Sequence, residues 1–295
     1  MHPVTISVDT YDDVQNIFRP QKLLVPCGKC ECCVVSTANE WRTRLKIEKD
    51  SSDNCYFVTL TYDDDKIPFA TRPDYLGNSI TAPCVSKRDI QLFLKRLRKE
   101  TKLRYFICSE YGPTTYRPHY HGILFGLPRY SSDNLKQIAH ITKLIDKCWN
   151  NGFVQVDDVT YGRISYVTKY MCCKTDLPEY LVPPFRLMSR VPGIGSTYLD
   201  RKDLIDWHRR NLACYYPEKN YKLRLPRYLK NKIFDDDMIA QISDNIREVR
   251  QQSLQRDIQL SSSLGYDNYV DFRHSNIDGF IRKFNNKYKK TRKNI

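Results

Sequence analysis

The chain has 295 residues, enough for one large domain or for one domain plus an appendage, with an ample core. Its 48 Lys and Arg against 34 Asp and Glu leave a formal net charge of +14, which favours a polyanionic partner, nucleic acid before membrane. No apolar run approaches the roughly 18 residues that a spanning helix needs, so a membrane role is not expected. The opening Met1–Ser7 has neither the basic region nor the apolar core of a secretion signal. Eleven cysteines in a chain without such a signal predict reduced thiols and residence in a cytoplasm rather than a disulfide framework.

Residues 1–20 carry no motif. In Cys27-Gly28-Lys29-Cys30-Glu31-Cys32-Cys33, the residues Cys27, Cys30 and Cys33 have a C-x2-C-x2-C spacing whose thiolates are able to chelate Zn2+. A closed site needs four ligands, so Cys32 or a distant residue would have to complete it; the alternative is a tight turn with buried thiols. Val34 to Lys49 reads as a helix, with Val34, Ala38, Trp41 and Leu45 along one side. Cys55 to Tyr62 is a β-branched and aromatic strand ending in Asp63-Asp64-Asp65. Residues 68–83 read as a turn-rich loop and a candidate DNA contact. Ser86 opens a helix with Ile90, Phe93, Leu94 and Leu97 on one face. The cations Lys87, Arg88, Lys95, Arg96, Arg98 and Lys99 lie elsewhere on that helix, as candidate phosphate contacts or a solvated face.

Leu103 to Glu110 is another strand, and Tyr111-Gly112-Pro113 turns it into Arg117-Pro118-His119-Tyr120-His121-Gly122. Alternation along a strand puts His119 and His121 on one face, with Tyr120, Ile123 and Phe125 expected to point elsewhere. An antiparallel neighbour would bring Glu110 near the two imidazoles, a plausible divalent-ion site; the plainer reading is a solvated strand face. Asp133 to Trp149 repeats helical spacing, 152–156 is a strand, and Ile164 to Met171 puts Tyr166 and Tyr170 four apart, on one helix face. Ser189 to Ser196 is a Gly/Pro loop, and no G-x-x-x-x-G-K-[ST] occurs, so no ATPase or helicase module is recognisable. Asp235 to Leu260 reads as one more helix. The order of elements predicts an α+β class with a central antiparallel sheet and flanking helices.

The Thr-Leu-Thr strand, the His-x-His strand and the Tyr-x-x-x-Tyr segment together resemble the three motifs of HUH endonucleases. Pro26-Cys27-Gly28-Lys29-Cys30, Glu40-Trp41-Arg42, Ser109-Glu110-Tyr111-Gly112, Arg117 to His121 and Pro192 to Gly195 more closely resemble the rolling-circle replication initiators of microviruses, gokushovirus-like single-stranded DNA phages. The resemblance covers about residues 20 to 230. It implies an HUH/RRM-like nuclease domain and metal-dependent nicking of one strand at the viral origin. It further implies Mg2+ or Mn2+ on His119, His121 and Glu110, with Tyr170 or Tyr166 as nucleophile and Lys169 assisting. A 5′-phosphotyrosine and a free 3′-OH would result, followed by strand rejoining in the cytoplasm of the bacterial host, alongside a host helicase and DNA polymerase. The expected divisions are a Cys-rich segment and helix (1–54), the endonuclease core (55–200), a mostly helical region (201–280) and a disordered basic tail (281–295). The competing readings are a plasmid or transposon HUH nuclease and a non-catalytic RRM-like single-strand binder.

Overall fold

A computed structural model describes residues 3–12, 17–169, 177–217 and 222–289. Although residues 1–20 carry no motif, Pro3–Asp12 (β1) and Ile17–Pro26 (β2) pair as an antiparallel hairpin. The period-two alternation of Val4, Ile6 and Val8 with Thr5, Ser7 and Asp9 favours it. The helix expected from Val34 begins earlier, as Glu31–Asp50 (α1), so its first turn takes in Cys32 and Cys33. After Cys55–Thr61 (β3), the expected loop is instead a second hairpin, Phe69–Pro73 (β4) and Ser79–Pro83 (β5). Its turn is closed by the Asp74 carboxylate, which accepts from the Leu76 and Asn78 amides, and by Gly77 at φ 85°.

The remaining elements of the sheet unit are Lys87–Glu100 (α2), Arg104–Tyr111 (β6), Pro118–Phe125 (β7), Asn134–Trp149 (α3), Val154–Asp158 (β8), Tyr161–Lys169 (α4) and Arg186–Met188 (β9). Ser86 caps α2 by accepting from the Asp89 amide, and Asp133 caps α3 by accepting from that of Lys136. Five strands form one wholly antiparallel sheet in the order β8-β3-β7-β6-β9. Its first four strands, with α2 and α3, follow the split β-α-β-β-α-β plan. Helices α2 and α3 cover one face, where Phe93, Leu97, Ile145 and Trp149 pack on Val58, Leu60, Ile107, Tyr120 and Leu124. Burial of each such side chain stabilises the fold by about 1.5–3 kcal/mol. Arg96 does not face outward for phosphate: its guanidinium donates to the carbonyls of Cys148 and Trp149, closing the end of α3. Many tyrosines are likewise structural, since Tyr62, Tyr120 and Asp89 share a buried hydrogen-bond chain under the sheet.

The opposite face is covered at one end only, by α1 and α4. There Leu45, Ile164, Val167 and Ile194 pack against Phe57, Phe106, Cys108, Ile123 and Phe125. Alternation explains the pattern, and it corrects one expectation: Ile123 and Phe125 share the face of His119 and His121, while Tyr120 leaves from the other. Glu48 of α1, 1% exposed, pairs with Arg104 of β6 and accepts from the Gly195 amide at 2.7 Å. Arg104 in turn donates to the carbonyls of Pro192 and Gly193 at 2.8 and 2.9 Å, so the Gly/Pro loop is bound down between α1 and the sheet. Gly195, at φ 77°, lets the backbone pass close to Arg44, where an added Cβ would stand 3.1 Å from its carbonyl oxygen.

Beyond the sheet lie Lys202–Asn211 (α5), the short pair Tyr215–Pro217 (β10) and Lys222–Arg224 (β11), and Arg227–Ile233 (α6). With Tyr198 and Ile47 they build a third small core around Leu225, Leu229 and Ile233. Two long helices follow, Asp236–Ser263 (α7) and Tyr269–Lys289 (α8). The basic stretch expected to be disordered from 281 is helical to 289, because it continues a helix seeded upstream, where elongation is favourable. Residues 290–295 lie outside the described residues. No helix among the described residues is long and apolar enough to cross a membrane.

Candidate active site

Register decides what meets on the open half of the sheet. Thr61, His119 and Glu110 stand side by side on β3, β7 and β6. The next row on that face is Gln155, Thr59, His121 and Cys108, and the third is Asp157, Phe57, Ile123 and Phe106. The sheet face is therefore polar where α1 and α4 leave it open and apolar where they cover it. A cleft of about 610 Å³ lies over the polar rows, bordered by Arg117, Phe153 and Tyr166.

His121, 8% exposed, is held on every side. Its Nε2 lies 3.1 Å from a Glu110 carboxylate oxygen and its Nδ1 3.0 Å from the Thr59 hydroxyl. Phe57 stacks on one side at 6.0 Å between ring centroids, and Tyr166 meets the ring edge-on at 5.3 Å. The Thr59 hydroxyl either donates or accepts, so it supports whichever tautomer His121 adopts. The half-buried His119 is pulled below the usual imidazole range, first by burial and then by the neighbouring His121, with Glu110 acting against both. A neutral imidazole is the form that ligates metal. Arg117 is spoken for by the Asp64 carboxylate and the Tyr62 carbonyl, which fix its guanidinium at the rim.

Of the residues singled out in the sequence, Glu110, His119, His121 and Tyr166 all line this one cleft. Lys169 ends α4 and is half-buried, and Tyr170 lies outside the described residues. Two imidazoles and a carboxylate form a donor set suited to a divalent cation. Among the described residues, however, the group whose three ligand atoms all lie within 4.8 Å of one another is Cys27, Cys30 and Cys33. His121 and Glu110 are already in contact, so completing a three-donor set falls to a rotation of the His119 ring. The cations of α2 stand on the far face of the sheet, away from this cleft, because the apolar side of α2 packs there. Sequence reasoning missed Thr59, Gln155 and Arg117. Period-two spacing could have marked Thr59 and Thr61 as sharing a face, but only the register sets Thr59 against His121.

The fold and the cleft define a split β-α-β-β-α-β domain with a histidine-lined polar face at the middle of its sheet. Residues 55–175, which include this sheet through β8, match the family model for replication-associated protein ORF2. The chain is similar to Replication-associated protein ORF2 of Spiroplasma virus 4, 28% identical over 280 residues that span 88% of this chain and 84% of that protein. It is 29% identical to Replication-associated protein VP4 of Bdellovibrio phage phiMH2K, over 60% of this chain and 58% of that protein. Replication-associated protein ORF4 of Chlamydia phage 1 is 27% identical over 57% of this chain and 41% of that protein. The chain is thus related to the replication-associated proteins of microviruses. No solved structure matches it.

Proposed function

We propose that the chain initiates rolling-circle replication by nicking one strand of the viral origin DNA and later rejoining it, as an HUH endonuclease in the cytoplasm of the bacterial host. The observation that carries this reading is the convergence of Glu110, His119, His121 and the ring of Tyr166 on one open cleft of a basic protein. Tyrosine suits a reaction that must conserve the energy of the broken bond, because a nucleophile that stays attached to phosphorus stores it.

His119, His121 and Glu110 would hold Mg2+ or Mn2+, which when bound withdraws charge from a phosphate oxygen and offsets the charge developing in the transition state. Thr59, by accepting the Nδ1 proton of His121, would leave the Nε2 lone pair facing the cleft. Arg117 places a fixed positive charge at the rim, where a phosphate backbone would enter. The phenolic oxygen of Tyr166 or Tyr170 forms a bond to phosphorus and the bond from phosphorus to the 3′ oxygen breaks. The phenolic proton passes through solvent to that oxygen. The products are a 5′-phosphotyrosine and a 3′-OH, the latter a primer for a host DNA polymerase. Unwinding falls to a host helicase, since the sequence has no nucleotide-binding loop.

The test is incubation of the full chain with a pool of single-stranded origin oligonucleotides and Mn2+, followed by peptide mapping of covalent adducts. Tyr166→Phe and Tyr170→Phe are each expected to keep some cleavage, with the adduct on the remaining tyrosine, and the double variant to form none. Tight binding of the pool with no adduct under any metal would leave a non-catalytic single-strand binder instead.

A further inference from the structure

The turn from Cys27 to Cys33 joins the end of β2 to the first turn of α1. The sulfurs of Cys27, Cys30 and Cys33 all lie within 4.8 Å of one another, and those of Cys27 and Cys33 are 3.9 Å apart. Tetrahedral coordination at a Zn–S distance of about 2.3 Å requires sulfurs about 3.8 Å apart, so the observed spacing is that of a metal site. It is well beyond the roughly 2.05 Å of a disulfide, and all three residues are free thiols.

The backbone is arranged for thiolate. The amides of Lys29 and Cys30 both donate to the Cys27 sulfur, at 3.4 and 3.2 Å. Hydrogen bonds to the charged form favour it, and Gly28 at φ 73° supplies the left-handed residue that the turn requires. Cys30 is the N-cap of α1 and Cys33 lies in its first turn, where the positive end of the helix favours negative sulfur. Three close thiolates repel one another, and a cation among them removes that cost.

We propose that Cys27, Cys30 and Cys33 bind a structural zinc ion as thiolates, separately from the histidine cleft. Thiolate donors select a soft or borderline ion, whereas Mg2+ and Mn2+ prefer oxygen and imidazole. Cys30 also lines a cleft of about 270 Å³ with Glu31 and Cys32, closed on the other side by Asp257, Phe272 and Phe280 of the α7–α8 pair. The fourth ligand enters from that cleft, as one of these donors or a water. Zinc here would tie the N-terminal hairpin to α1, whose Trp41, Leu45 and Glu48 pack beneath the active face of the sheet. Its binding free energy is added to folding, and each thiol that ligates gives up a proton.

The experiment uses the full chain, reduced and purified from cells grown with zinc. About one zinc ion per chain should copurify, and replacement by Co2+ should give intense sulfur-to-cobalt charge-transfer absorption. Ser at Cys27, Cys30 or Cys33 should abolish both, whereas Cys55→Ser and the His119→Ala, His121→Ala double variant should retain both. Uptake of Co2+ by the wild-type chain without thiolate charge-transfer bands would overturn the proposal. Zinc content unchanged in the triple Cys→Ser variant would do the same. The wild-type cobalt spectrum decides the matter alone if the Ser variants fail to fold.

Discussion

Replacing Glu48 by Ala should destabilise the chain by about 3 kcal/mol, although the residue touches nothing in the cleft. Its side chain is 2% exposed and meets Arg104, 26% exposed, so truncation strands a partly buried guanidinium. A fully buried pair costs about 3–5 kcal/mol to break, but Arg104 keeps water on one side and the carbonyls of Pro192 and Gly193 on the other. That lowers its share to about 1–2 kcal/mol, and the orphaned Gly195 amide adds about 1–3. Glu48→Gln keeps an acceptor for Gly195 and should cost about half as much. Urea unfolding followed by circular dichroism reads the difference, with the Arg104→Ala double cycle isolating the pair. A loss below about 1 kcal/mol for Glu48→Ala would refute the view that this carboxylate holds α1, β6 and the Gly/Pro loop together.

Thr59→Val removes the hydroxyl at His121 Nδ1 with little change of shape and should raise the Mn2+ concentration needed for cleavage about 10- to 100-fold; an unchanged metal titration would show that Thr59 does not orient the ring. His208 is fully buried, its Nδ1 2.6 Å from the Ala213 carbonyl and its Nε2 2.7 Å from the Tyr198 hydroxyl, and burial lowers its pKa. Because the folded state then binds the proton less readily than the unfolded chain, stability should be full above about pH 6.5 and fall as pH drops toward the lowered folded value. Chemical denaturation from pH 7.5 to 5 should show that slope, and His208→Gln should flatten it. Deleting residues 281–295 removes Arg282, Lys283, Lys287, Lys289, Lys290, Arg292 and Lys293. If all seven pair with phosphate, the slope of log K against log salt on single-stranded DNA should flatten by up to about 5, and a salt titration showing the wild-type slope would exclude the tail from the interface.

The sequence alone determined the local elements with strong periodicity and caps. Helices α2 and α3 begin at the expected Ser86 and Asp133 because side-chain capping is a matter of residues three positions apart. His119 and His121 share a face for an equally local reason, the pleat of a strand. The tripling of cysteines at 27, 30 and 33 was legible as ligand spacing, whereas the 3.9 Å approach of two of their sulfurs depends on how the turn folds. Tertiary structure decided everything that required pairing between distant segments. Only register puts Glu110 beside His119 and Thr59 beside His121, since a slip of one residue would turn each to the other face. Arg96 looked like one cation among six until α3 arrived to take it. The hairpin at 69–83 and the clamp of Glu48 on Arg104 and Gly195 were equally hidden, because strand pairing and burial of charge are settled by partners up to 147 positions away.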